Sequence, residues 1–201
     1  MKNSIFFPVI IALCISSGCS NAQSVRSPNV LIVYLSRTNN TKAVAEMIHT
    51  YTGGKLVELE LQNPYPENYR EIVEQVQKEN ETGFLTPLKT MIDSIDAYDI
   101  VFVGFPTWGM QVPPPIKSFL NQCDLSGKTI IPFNTNGGYG VGSSFDQVKA
   151  LCPGSKILEG FSIQGGIERD GILFVMEGEK KTEAENKVKE WLKKIKMINS
   201  F

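Results

Sequence analysis

The chain has 201 residues, of which 42% are hydrophobic and 20% are charged. These proportions are ordinary for a globular domain and exclude a disordered chain, a collagen-like rod and a coiled coil. The 20 basic and 21 acidic residues give a net charge of −1 at pH 7, which offers no broad basic surface for DNA or RNA. One histidine and four cysteines without a CxxC pair leave too few ligands at usable spacing for a zinc site.

The N-terminal segment predicts export. Lys2 precedes the apolar run 5–15, which is shorter than the roughly 20 residues of a membrane-spanning helix, and small residues follow it. Residues 1–22 are therefore assigned to a signal peptide with two candidate cleavage sites. Residues 15–19, Ile-Ser-Ser-Gly-Cys, resemble a bacterial lipobox, which implies cleavage before Cys19 and a lipid on its thiol. We favour this lipoprotein over the alternative, cleavage after Ala22 to release a soluble exported protein.

Residues 23–28 are assigned to a linker and residues 29–201 to the folded domain. This predicts a protein of the cell envelope or periplasm that meets the membrane only through an N-terminal lipid anchor. Removal of residues 1–22 takes away Lys2 and no acidic residue, which changes the net charge from −1 to −2. Cys123 and Cys152 could pair in an oxidising compartment, but both end predicted helices among apolar neighbours, which favours buried free thiols.

Strand-like and helical segments alternate along the domain. In chain order they are strand 30–35, helix 41–51, strand 55–61, helix 69–81, strand 100–105, helix 116–122, strand 129–134, helix 143–151, strand 156–163 and helix 182–195. The runs VLIVYL and DIVFVGF are continuously apolar, which indicates strands buried on both faces. The pattern predicts an α/β fold with a doubly wound sheet of five parallel strands between two helical layers.

Two segments fit this alternation less well. Residues 62–66 and 83–96, with the helix between them, form a long excursion between the second and third strands. Residues 165–178 contain Asp170-Gly171 between two apolar stretches, which is compatible with a small hairpin or with a late strand extension. The sequence does not decide between these two structures.

Three loops follow the first, third and fourth strands, at the sheet edge where ligands bind in doubly wound folds. The first loop, 36–41, is rich in hydroxyl and amide side chains and enters a helix, whose free N–H groups and dipole favour a phosphate. The alternative is that Asn39 or Asn40 simply caps this helix. The second loop contains Trp108 beside glycine and proline, and the third, 135–143, contains four glycines and Tyr139.

These loops resemble those of flavodoxins. Residues 36–41 resemble the flavodoxin phosphate loop, with Asn39 where glycine is usual; asparagine is the non-glycine residue best able to adopt a left-handed backbone. Residues 105–109, Phe-Pro-Thr-Trp-Gly, and 113–120, Pro-Pro-Pro-Ile-Lys-Ser-Phe-Leu, resemble a bacterial flavodoxin-like family whose pattern often has a second tryptophan. The resemblance covers residues 29 to about 197 and implies strand order 2-1-3-4-5 and bound FMN.

The resemblance implies an FMN site built from all three loops. The phosphate would contact the first loop, formed by Ser36, Arg37, Thr38, Asn39, Asn40 and Thr41. Trp108 and Tyr139 would flank the isoalloxazine ring, beside the other predicted site residues Pro106, Thr107, Gly109, Asn136, Gly137 and Gly138. Trp108 could instead be a buried anchor, because tryptophan is frequently a core residue. No catalytic side chain is predicted, and His49 fits a surface or structural role.

Two functions follow. The first is an FMN-dependent redox protein, either an electron carrier or an enzyme that passes electrons from a reduced nicotinamide to a quinone or similar acceptor. A net charge of −2 gives little of the electrostatic steering that is typical of acidic electron carriers, which favours an enzyme. An exported enzyme would lack an evident supply of nicotinamide, which favours a carrier. The alternative is a lipid-anchored binding module of the same fold that has lost the flavin, for which Asn39 is the only sequence argument.

Overall fold

Apolar strands form a parallel sheet at the centre of the molecule. The computed structural model describes residues 27–199. The strands are β1 (Val30–Tyr34), β2 (Lys55–Glu58), β3 (Ile100–Pro106), β4 (Thr129–Asn136), β5 (Lys156–Ile157) and β6 (Phe161–Gln164). They run parallel in the order β2-β1-β3-β4-β5, and β6 also pairs with β4. The predicted α/β architecture and strand order are confirmed.

The two faces of the sheet are covered by different helices. The helices are α1 (Asn40–Thr52), α2 (Tyr69–Thr82), α3 (Pro114–Gln122), α4 (Ser144–Leu151) and α5 (Gly178–Lys194). Alternate residues of β1 face opposite cores: Ile32 packs with residues of α1 and α5, and Val33 packs with residues of α3 and α4. Among the residues that the structure describes, α2 contributes none to either core.

Two details of the sheet differ from the prediction. The last predicted strand, 156–163, is interrupted and forms β5 and β6 as separate segments along β4, so the sheet has six strands. The second predicted strand, 55–61, ends at Glu58, and Leu61 forms an isolated antiparallel bridge with Leu88 instead. Residues 165–178 form a tight turn at Glu168–Asp170, closed by an antiparallel bridge between Ile167 and Ile172. Of the two structures that the sequence left open for this segment, the small hairpin is the one observed, and the strand extension is not.

Cys123 and Cys152 are free, as favoured by the sequence, and burial raises the pKa of both thiols, that of Cys152 to about 11. The signal peptide, Cys19 and most of the linker lie outside the described residues. No helix within residues 27–199 is long and apolar enough to cross a membrane.

Candidate functional site

A cleft of about 580 Å³ opens at the carboxyl edge of the sheet. Small-molecule sites typically have volumes of about 300 to 1,000 Å³. The loops after β1, β3 and β4 all reach this cleft. The predicted site residues that line it are Arg37, Thr38, Asn40, Thr41, Pro106, Thr107, Trp108, Gly109, Asn136, Gly137 and Tyr139. The remaining three, Ser36, Asn39 and Gly138, belong to the same loops but do not line the cleft.

The first loop offers a row of free backbone donors. Within the described part of the chain, the N–H groups of residues 37–41 have no hydrogen-bond partner. The next two donors are occupied, since Lys42 N donates to Ser36 Oγ at 3.2 Å and Ala43 N donates to Asn39 O at 2.9 Å. Successive free N–H groups at a helix N-terminus form a concave anion site. The loop therefore fits the phosphate of a bound cofactor.

The side chains of the two asparagines of this loop do not cap α1. Asn39 has a φ of 62°, in the left-handed region, and its side chain makes no capping bond. The Asn40 side chain turns away from the helix: Nδ2 donates to Thr38 Oγ1 at 2.9 Å and to Leu173 O at 2.6 Å, while Oδ1 accepts from Val175 N at 3.1 Å. The alternative that the side chain of Asn39 or Asn40 caps this helix is therefore wrong.

Two hydroxyl groups of the loop, and one of a threonine pair that includes Thr41, retain donor capacity. Thr38 Oγ1 accepts a side-chain N–H and Ser36 Oγ accepts a backbone N–H, so each hydroxyl proton is free to be donated elsewhere. Thr41 Oγ1 and Thr135 Oγ1 lie 2.8 Å apart and share one hydrogen bond. One of these two hydroxyl protons remains for another acceptor. The loop can thus supply hydroxyl donors in addition to its backbone N–H groups.

The Arg37 side chain forms hydrogen bonds to two other segments of the chain. Its Nε lies 2.5 Å from Glu168 Oε1, and its other nitrogens donate to Pro66 O at 2.9 Å and Glu67 O at 2.7 Å. The guanidinium therefore holds the first loop, the approach to α2 and the turn after β6 together. Because Glu168 neutralises its charge, the contribution of Arg37 to the anion site is its backbone N–H.

Asn136 braces the loop after β4. Its Oδ1 accepts the N–H groups of Gly138 at 2.9 Å and Gly140 at 3.2 Å, so both amides are directed into the loop. Gly138 thus presents no N–H to the cleft. Gly137 lies on the cleft wall, and its N–H has no partner within residues 27–199.

Thr107 connects the second loop to the third. Its hydroxyl donates to Gly140 O at 3.0 Å and accepts from Nδ2 of the fully buried Asn134 at 2.9 Å, while its backbone N donates to Thr135 O at 2.9 Å. Sequence reasoning placed Thr107 in the site but missed Asn134. An amide side chain that directly follows a buried apolar run is the signal that points to such a brace.

The two predicted aromatic residues lie on the cleft in different environments. Trp108 is half-buried, packs against the core formed with α3 and α4, and also lines the cleft. Its position is therefore compatible with both of the roles that the sequence left open. Tyr139 is 68% exposed, and its Oη accepts a hydrogen bond from Arg169 Nη1 at 3.3 Å. The two rings come from the loops after β3 and β4, as expected.

The outer wall of the cleft is α2, which the sequence analysis did not assign to the site. Tyr69, Ile72, Val73 and Val76 line the cleft from this helix. Ile72 and Val76 are buried although they belong to neither core, and Val73 is 45% exposed. Their helical spacing marks an apolar face but does not show what that face covers.

The comparisons with known proteins identify the family of this chain. A family model described as flavodoxin matches residues 29–179, which is most of the domain. The chain therefore belongs to the flavodoxin family. None of the curated proteins compared with the chain matches it.

Solved structures share the fold. A Bacteroides uniformis ATCC 8492 protein, provisionally described as a flavoprotein, has a TM-score of 0.67 at 23% identity, over 84% of this chain and 99% of its own. A similarly described Bacteroides eggerthii DSM 20697 protein has a TM-score of 0.66 at 26% identity, over 85% and 99%. A Lactobacillus acidophilus NCFM flavoprotein in complex with FMN has a TM-score of 0.61 at 20% identity, over 73% and 99%. Membership of the flavodoxin family supports FMN as the cofactor.

Proposed function

We propose that this protein binds FMN in the cleft and acts as an electron-transfer flavoprotein. The observation that carries the proposal is the row of free N–H groups at residues 37–41, beside a cleft with an aromatic wall. Bound FMN would supply the electron-carrying isoalloxazine ring. The protein residues bind and orient the group and exclude water from it.

Different walls of the cleft would contact different parts of the cofactor. The free N–H groups and the hydroxyl of Thr38, which lines the cleft, would hold the phosphate. Trp108 and Tyr139 would contact the ring system, and the Gly137 N–H is available to its polar edge. Val73 and its neighbours on α2 give an apolar wall that keeps water from the opposite side. No side chain is required to move a proton.

The structure weakens the alternative of a fold that has lost its flavin. That alternative rested on Asn39 in place of glycine, and Asn39 adopts the left-handed conformation that glycine would take. The substitution therefore leaves the anion site intact. The partner of this protein in electron transfer would be a redox protein or a small electron acceptor.

The proposal is tested by adding FMN to purified apo-protein. We expect FMN to co-elute with the protein in gel filtration, with a flavin absorption band and quenched flavin fluorescence. Elution of all FMN at the free-ligand volume, from protein shown to be folded by circular dichroism, would rule out the function.

We also propose that the protein is exported and held at the membrane by a lipid on Cys19. The described chain enters β1 at Val30, at the sheet edge opposite the cleft, so such an anchor would leave the cleft facing away from its attachment point. The change Cys19→Ala is expected to move the protein from the membrane fraction to the soluble fraction. A mature N-terminus at Gln23, or an unchanged membrane fraction, would contradict the proposal.

A further inference from the structure

The excursion between β2 and β3 contacts the aromatic wall of the cleft through one residue. The Tyr65 and Trp108 rings lie edge to face, with centroids 5.3 Å apart and planes at 90°. This geometry is favoured between aromatic rings. The excursion therefore supplies the neighbour against which the Trp108 ring is set.

Tyr65 is itself oriented by a buried carboxylate. Its Oη donates to Glu79 Oε2, and Glu79 is only 7% exposed. The same carboxylate accepts from Gln75 Nε2 at 2.8 Å and from Thr86 Oγ1 at 3.4 Å, with no cation bonded to it among residues 27–199. A buried carboxylate is costly without such donors, so this cluster has a strong preference for one arrangement. Burial and the bond to Glu79 also raise the pKa of Tyr65, which keeps its hydroxyl protonated.

Besides Tyr65, the core formed with α3 and α4 contacts Trp108, and hydrogen bonds add little to fix its ring. Among residues 27–199, its backbone pairs only with Gln111, across a two-residue turn in which Gly109 and Met110 have φ of 57° and 62°. Its indole N–H has no hydrogen-bond partner in the part of the chain that the structure describes. The backbone turn sets where Trp108 leaves the chain, and the side-chain contacts set the plane of its ring.

We propose that Tyr65, oriented by Glu79, is a positioning residue that fixes the plane of the Trp108 ring against the cleft. This inference rests on the proposed function, because the consequence of a fixed ring is ordered stacking of the flavin. The excursion between β2 and β3 would thus position the Trp108 ring, a role that neither the fold nor the phosphate loop requires.

The test begins without FMN. Protein labelled with 5-fluorotryptophan gives two fluorine resonances, because the chain has two tryptophans, and Trp108→Phe assigns them. Tyr65→Leu removes the ring contact, and Tyr65→Phe keeps it but loses the bond to Glu79. We expect both changes to shift or broaden the Trp108 resonance, more for leucine, and to leave the Trp191 resonance in place. Glu79→Gln keeps an acceptor for the Tyr65 hydroxyl, so this variant should keep the wild-type Trp108 resonance.

The matched control is Tyr34→Phe. Tyr34 Oη also donates to a glutamate, Glu58 Oε2 at 3.0 Å, but Tyr34 belongs to the opposite core and does not line the cleft. This variant should leave the Trp108 resonance unchanged. Thermal unfolding of each variant shows that a loss of signal does not reflect a loss of fold.

The second measurement is flavin binding. Tyr65→Leu is expected to weaken FMN and riboflavin alike, by about two- to tenfold, and to raise the residual fluorescence of the bound flavin. An unchanged Trp108 resonance and unchanged flavin affinity in the folded Tyr65→Phe and Tyr65→Leu variants would overturn the positioning role. Failure of the wild-type protein to bind FMN would overturn the proposed function instead, while the fluorine spectrum still decides the positioning role.

Discussion

The torsion of one residue, Asn39, determines whether the first loop can present its N–H groups to an anion. A left-handed residue just before α1 turns the preceding chain so that donors from residues 37–41 stay unpaired. Because the Asn39 side chain makes no capping bond, its contribution is conformational. Asparagine at this place was predictable as a tolerated replacement for glycine, whereas the number of free donors was not.

The conformational role of Asn39 predicts different effects for two substitutions. Asn39→Ala should lower the free energy of unfolding by about 1 kcal/mol, because alanine is strained in the left-handed region. Asn39→Gly should be close to neutral, since glycine adopts this conformation without a steric penalty. Urea denaturation of the three proteins measures both values. Equal losses for alanine and glycine would show that the asparagine side chain, and not the torsion, is important.

Polar residues near the strand ends divide into ligand contacts and loop braces, and local sequence does not separate them. Asn40 and Asn136 were both predicted to contact the cofactor, and both use their side chains to hold loops in place. The partners of Asn40 lie in residues 173–175, far along the chain. A side chain whose partner is so distant in sequence cannot be assigned from the pattern around it.

At the scale of elements, the buried strands were the most predictable part of the molecule. Their apolar runs fixed the sheet, and the strand-end loops followed from its topology. The position of α2 was not predictable in this way. Its apolar residues have ordinary helical spacing, but they face the cleft because the excursion carries the helix away from both cores.

Close packing of the second loop against the third gives a prediction at two glycines. Gly142 has a φ of 55°, and a Cβ there would lie 2.1 Å from Met110 O; Gly140 has a φ of 82° with open space around it. Gly140→Ala should therefore cost only the strain of its torsion, about 1 kcal/mol. Gly142→Ala should cost about 2 to 4 kcal/mol, because it also separates the two loops. Thermal or urea unfolding tests the difference, and similar losses would contradict the packing described.

For the whole molecule, the raised pKa values predict loss of stability in alkali. The Cys152 thiol ionises near its usual 9.0 when unfolded, but burial raises its pKa to about 11 in the fold, and the pKa of Tyr65 is raised above its usual 10.0. Stability from Cys152 is complete below pH 9 and is lost as the pH rises through 11. Stability from Tyr65 is complete below pH 10 and begins to fall above it, and each group contributes a slope of up to about 1 kcal/mol per pH unit. Urea unfolding from pH 8 to 11 measures this slope. Cys152→Ala should reduce it, and an unchanged slope in that variant would contradict the assignment.

The anion site at the start of α1 is tested most directly by comparing two ligands that differ only by a phosphate. Calorimetric titration of apo-protein should show FMN binding more tightly than riboflavin. Thr38→Val removes a hydroxyl donor and should weaken FMN binding by about 10- to 100-fold while leaving riboflavin almost unchanged. Equal affinities of the wild-type protein for both ligands, or equal losses in the variant, would show that residues 36–41 do not hold the phosphate.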